Sequence, residues 1–199
     1  GVQTCALPIY LKYNYLPSFV PDWAIYYGYM YGWSFLRILI AFCIIDSWQF
    51  WLHRLMHINK YCTEDFIPAP QINVPYAFGA LYNDPVEGFL LDTLGTGIAS
   101  LVTGLSHRES IFLYTFATLK TVDDHCGYRL PFDIFQIIFP NNSVYHDIHH
   151  QMWGIKNNFS QPFFTFWDVL NNTQYKFVNE YKDLQKHITL TKYKEFLAK

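Results

Sequence analysis

An apolar run of about twenty residues, Trp33 to Leu52 (WSFLRILIAFCIIDSWQFWL), leads without a break into the histidine pair of HRLMH, His53 and His57,. That is the length a bilayer-spanning helix needs. A helix places residues four apart on one face, so both imidazoles leave the same side of one element, at one end of the span. Two further groups repeat the theme: His125 in VDDHCG, and His146, His149 and His150 in YHDIHH. Together they use six of the eight histidines in the chain. Three imidazoles on one helix face repel when protonated and need a common partner when neutral, which a metal ion supplies. Imidazole-rich donor sets suit iron, zinc or copper, whereas magnesium and calcium take oxygen. The expectation is a transition-metal centre. His107, in a turn, and His187, in a Lys-rich tail, are read as structural.

The rest of the chain sets that centre in an all-α, integral membrane protein. Hydrophobic residues make up 51% and charged residues only 15%, a balance that points to a bilayer,. Tyrosines crowd residues 10–32, as aromatics do at membrane–water interfaces,. Further apolar runs, Phe89–Leu105 and Ile111–Val122, read as a helical hairpin dipping into the membrane, with SHRES (106–110) as its turn. The second of these delivers His125 at a helix C-terminus, where the dipole favours a cation. Beyond Gly127 the prolines Pro131, Pro140 and Pro162 break long helices, and this part is expected to cap the bundle and present His146, His149 and His150,. The tail from Lys176 carries six Lys and no Arg, which suits a solvated helix against headgroups,. A net charge of −2 argues against nucleic acid as a partner,. Four cysteines without a CxxC pair read as reduced thiols,.

Asp46 is the acid inside the first span, and a charge there is functional by default. It lies two turns before His53 on the same face, so it is expected to accept the outer N–H of a ligating imidazole. The alternative is an ion pair with Arg37. Asp124 and Asp147, beside histidines, are weaker candidates for the same task. Residues 1–9 (GVQTCALPI) match the translation of a sequencing-library adapter end and are set apart,. The membrane domain is then expected over 10–175, N-terminally truncated, with 176–199 as a tail.

HRLMH, VPYAFGALYNDPVEGFLLDTLG, FATLKTVDDHCG, PNNSVYHDIHH and NFSQPFFTFWD together resemble the fatty acid hydroxylase superfamily, most of all its sphingolipid C4-hydroxylase (sphinganine C4-monooxygenase) branch. The resemblance covers roughly residues 40–170. It implies a multi-pass endoplasmic-reticulum enzyme with a histidine-bound di-iron centre at the cytosolic helix ends, where zinc can substitute. It also implies O2 and electrons from NAD(P)H through a cytochrome b5-type carrier, and hydroxylation of a sphingoid base or ceramide. His53, His57, His125, His146, His149 and His150 would be the ligands. Alternatives are a sterol desaturase or methyl-sterol oxidase of the same superfamily, and a non-catalytic membrane protein of the same fold.

One stretch departs from the family. A middle box of the type His-Ser-x-His-His precedes VPYA in the pattern, but here it reads CTEDFIPAPQIN (62–73), without a histidine. LYNHP appears as LYNDP, so Asp84 stands where a histidine is expected, able to bind iron through oxygen. Either the box has decayed, or the reading frame is disturbed. Codons that encode Cys62–Ile67 and Ala69–Gln71 can, in a shifted frame, encode histidines, including an adjacent pair. If the stretch stands as written, the chain is expected to bind metal weakly and turn over slowly. Sequencing the source nucleic acid across residues 55–90 decides the matter: a His-Ser-x-His-His box means a damaged copy of an enzyme sequence, and CTEDFIPAPQIN favours the non-catalytic protein.

Overall fold

The computed structural model describes residues 20–59, 75–81, 85–127, 132–186 and 190–198. Among these the regular elements are helices, with no strand. Helix α1 (Asp22–Ile58) follows Pro21, and Asp22 in its first turn complements the helix dipole,. Its 37 residues extend about 55 Å,. It is the one helix among the described residues long and apolar enough to cross a membrane. Ala41, Phe42, Ile45, Asp46, Gln49, Phe50, His53 and Met56 are buried, the stripe a 3.6-residue period predicts,. Trp23, Tyr31, Trp33, Phe35, Ile40 and Trp51 remain exposed, a surface that suits acyl chains better than water,.

A 3₁₀ turn (Ala77–Leu81) precedes α2 (Pro85–Gly88), a π-helical turn (Phe89–Leu94) and α3 (Gly95–Val102). Trp48 joins this segment to α1, its indole N–H donating to the Leu90 carbonyl at 2.8 Å. Gly95 permits the close approach, since a Cβ there would lie 2.5 Å from Trp48 Cδ1. Helix α4 (His107–Asp124) packs back on α1 and α3. Its start corrects one expectation: SHRES is not the turn. Ser106 and Glu109 form a capping box, with Glu109 accepting from the Ser106 N–H at 2.7 Å, so the bend falls at Thr103–Leu105,. Arg37 closes the hairpin onto α1 through Glu109 at 2.6 Å and the Gly104 carbonyl. It is not the partner of Asp46.

The last five described helices are all short: α5 (Ile134–Ile138), α6 (Ser143–His150), α7 (Phe166–Leu170), α8 (Val178–Lys186) and α9 (Leu190–Leu197). One core joins α1, α3 and α4 to the loop before α7, with Phe42 and Phe163 rings 4.1 Å apart. A second gathers Val144 and Ile148 of α6 with Tyr181 and Phe196, so the Lys-rich tail is docked on the helix that carries the last histidines.

Asp46 is fully buried and accepts from the backbone N–H groups of Phe163 (3.0 Å) and Phe164 (2.6 Å). This replaces both sequence expectations for Asp46, the imidazole partner and the Arg37 pair. The reason is backbone accounting: residues 159–164 are irregular, and their buried N–H groups need acceptors that no helix supplies. Asp46→Ala leaves two buried donors unpaired and is expected to lower stability by about 3 kcal/mol or more. Asp46→Asn, which keeps one acceptor oxygen, is expected to lose less. Thermal unfolding of the purified chain in detergent micelles measures both.

Candidate metal centre

The last turns of α1 carry His53 and His57, His125 caps the C-terminus of α4, and α6 supplies His146, His149 and His150. Folding brings all six together as two neighbouring triads. His53, His57 and His149 form one, and His125, His146 and His150 the other, with the nitrogens of each triad within 4.8 Å of one another. In the first, the Nε2 of His57 lies 3.0 Å from that of His53 and 3.3 Å from that of His149. In the second, the Nε2 of His146 lies 3.0 Å from those of both His125 and His150. The rings of His146 and His149 are 6.0 Å apart, so one helix feeds both clusters. The sequence reading, in which all three histidines of HDIHH share a partner, is corrected here. His146 and His150 are one turn apart and face α4, whereas His149 is rotated off that edge and meets α1.

Carbonyl partners, which can only accept, place protons on some of these rings. Nδ1 of His125 donates to the Thr121 carbonyl at 2.8 Å, and Nδ1 of His149 to that of Asn157 at 2.8 Å. Nδ1 of His53 faces the Phe159 carbonyl at 3.3 Å, with the Gln161 amide 3.4 Å from the same nitrogen. A neutral ring that donates from Nδ1 has a bare lone pair at Nε2. The Nε2 atoms converge at each triad, with the His149 lone pair directed into the first and the His125 lone pair into the second, where a cation would accept them. Burial, reinforced by neighbouring imidazoles, pushes His125 down to about 4 and His146 and His149 well below the usual histidine range. The rings are thus neutral at pH 7, the form that ligates. The donor set fits a transition metal.

Asp46, Asp124 and Asp147 are engaged by other groups. Asp124 is paired in the interior with Lys120, which also donates to the Asn141 carbonyl at 3.2 Å. Asp147 accepts from Tyr181 (2.6 Å), Gln185 (2.8 Å) and Gln151 (3.1 Å). Backbone carbonyls do the orienting that was expected of carboxylates. Asp84, the 62–73 stretch and His187 lie outside the described residues. His107 is exposed in the first turn of α4.

Asp168 is the residue that sequence reasoning missed. Fully buried, it accepts from the N–H groups of Phe159 (2.9 Å) and Ser160 (2.8 Å), the Tyr145 hydroxyl (2.8 Å) and the Thr173 hydroxyl (2.6 Å). It fixes the loop whose Phe159 carbonyl meets His53, and ties that loop to α6. Its only sequence signal was its place in NFSQPFFTFWD.

The fatty acid hydroxylase family profile matches residues 38–173, a segment that holds both triads. The chain belongs to the fatty acid hydroxylase family. It is 63% identical over 183 residues to the sphingolipid C4-hydroxylase of Saccharomyces cerevisiae, covering 92% of this chain and 52% of that one. It is 53% identical to sphinganine C4-monooxygenase 1 of Arabidopsis thaliana, covering 69% and 53%. A very-long-chain aldehyde decarbonylase of Oryza sativa matches at 52%, covering 69% and 54%. A methylsterol monooxygenase of Aspergillus fumigatus is more distant, at 32%. The chain spans about half the length of the curated relatives it matches. No solved structure matches it.

The histidines of this family member also set a pH response. Their folded pKa values lie below the unfolded value of 6.5, so the unfolded chain binds more protons as the solution is acidified,. Their contribution to stability is complete above pH 6.5 and is lost as pH falls toward about 4. Chelator-treated protein is therefore expected to melt at a lower temperature at pH 5 than at pH 7. His125→Asn, tested by the same melts, is expected to shrink that difference.

Proposed function

We propose that the protein to which this chain belongs is a membrane-bound di-iron hydroxylase that inserts a hydroxyl at C4 of a sphingoid base or ceramide. The observation that carries the reading is the pair of three-histidine clusters whose Nε2 atoms converge. The names of the relatives at 63% and 53% identity support the substrate class, and the 32% methylsterol relative makes the sterol alternative the weaker one.

His53, His57 and His149 would hold one iron, and His125, His146 and His150 the other, with Asp84 as an oxygen donor from the stretch that departs from the family. When bound, the irons supply O2 activation and oxidation of an unactivated C–H bond. The protein's own part is positional. The carbonyls of Phe159, Thr121 and Asn157 hold three rings in the tautomer that presents Nε2. Phe159, nearly fully buried, packs its ring edge-to-face against His53 and His149 and tilted against His57, an apolar cover for the first cluster. In this reading α1 spans the endoplasmic-reticulum membrane, the α3–α4 hairpin enters it, and the clusters sit at the cytosolic side, within reach of a cytochrome b5-type donor. The family domain runs over 10–175, with 176–199 as its tail. Zinc would satisfy the same nitrogen donors.

The second reading, a non-catalytic membrane protein, is favoured by the absence of histidine from 62–73. Iron(II) titration of the purified chain, read by metal analysis, tests the metal assignment. Two equivalents, held weakly while 62–73 lacks histidine, are expected at saturating iron in the wild type, and one each in His57→Ala and His125→Ala. Retention of both equivalents in the double variant refutes it. Formation of 4-hydroxysphinganine from sphinganine in membranes holding the full-length protein separates enzyme from inactive relative.

A further inference from the structure

A cavity of about 160 Å³ lies between α1, the π-helical turn, α3 and α4, lined in part by Gln49, Asp92, Thr96, Tyr114, Thr118 and Thr121. Two of its lining residues each lie one helical turn from a histidine of a different cluster,. Gln49 stands four residues before His53, on the buried face of α1. Thr121 supplies the carbonyl that orients His125.

The polar lining centres on one strong acceptor, the Asp92 carboxylate, beside the Gln49 amide and the Tyr114 and threonine hydroxyls. The Asp92 carboxylate receives one hydrogen bond among the described residues, from the Gln49 amide at 3.4 Å. No lysine or arginine among the described residues lines the cavity. Thr96 donates its hydroxyl hydrogen to the Asp92 carbonyl (2.7 Å), and Thr121 to the Ala117 carbonyl (3.0 Å), so both oxygens can only accept. A carboxylate with no cationic partner among the described residues, inside an apolar helical bundle, is costly and marks a site,. The π-helical turn that carries Asp92 is a geometry found often at functional sites,. A ligand that complements this carboxylate donates hydrogen bonds and carries positive charge.

We infer that the cavity is the head-group pocket and that Asp92 is its specificity-determining residue, binding the ammonium of a free long-chain 2-amino-1,3-diol in preference to its N-acylated form. The inference rests on the hydroxylase reading above and deepens it. Hydroxylation at C4 occurs two carbon–carbon bonds beyond the carbon that bears the amine, so the pocket for the amine must adjoin the oxidising centre. The volume admits the amino-diol head and leaves the alkyl chain outside. An N-acyl group removes the charge that Asp92 complements and adds bulk to the head.

The test is equilibrium binding of radiolabelled sphinganine to the purified full chain in nanodiscs, with N-acetylsphinganine and a fatty alcohol of equal length as competitors. In the wild type, sphinganine is expected to bind roughly tenfold to a hundredfold more tightly than either competitor, the scale of a charge-assisted hydrogen bond. Asp92→Asn is expected to erase that preference and Asp92→Glu to keep it, with iron(II) stoichiometry unchanged in both as the check on folding. A wild type without preference for the amine, or an Asp92→Asn variant that retains it, overturns the assignment. The wild-type comparison decides even if a variant fails to fold. Neither outcome touches the metal stoichiometry or the 4-hydroxysphinganine readout, on which the hydroxylase reading stands or falls separately.

Discussion

Two buried carboxylates hold the irregular backbone of 159–164 in place, and the geometry of the first histidine cluster follows from that. Asp46 takes the N–H groups of Phe163 and Phe164 from within α1, while Asp168 takes those of Phe159 and Ser160 from α7. With its donors satisfied, this segment lies along α1 and presents the Phe159 carbonyl to His53. Asp168 also receives the Tyr145 hydroxyl, so α6 is set against the same loop and His149 reaches the end of α1. Loss of either carboxylate would strand buried donors in a part of the protein with no water to replace them.

The second cluster depends on a different join. Lys120 and Asp124, paired in the interior of α4, tie that helix to the Asn141 carbonyl just before α6, so His125 and His146 meet at the junction. From the other side, Tyr181 and Phe196 of the tail pack on Val144 and Ile148. Helix α6 is thus clamped between a buried ion pair and an aromatic cluster. A helix of eight residues has little stability of its own,. Its histidines are positioned by what surrounds it.

The clusters and the cavity share one feature. The first gather imidazole nitrogens, and the second holds the Asp92 carboxylate with no cationic partner among the described residues. In the proposed reading, metal ions complete the first and a cationic lipid head the second. The exposed aromatic and aliphatic surface of α1 fits the same reading, in which a long-chain lipid would enter from the bilayer.

Features governed by local periodicity were legible from the residues alone. The apolar run ending on His53 and His57 is one helix, His125 ends another, and both pairs four apart share a face, because a 3.6-residue turn leaves no other option. The imidazole-rich donor set and the motif wording likewise pointed to the metal class and the family before any fold was known. What only the tertiary structure decided were the partners across long separations. Asp46 meets a backbone 117 residues away, His149 parts from His146 and His150 to join α1, and Asp168 becomes a hub. Sequence spacing states which side of a helix a group occupies. Which neighbour packs against that side, and which unpaired N–H most needs a carboxylate, is settled by the whole fold competing for a limited set of buried donors and acceptors.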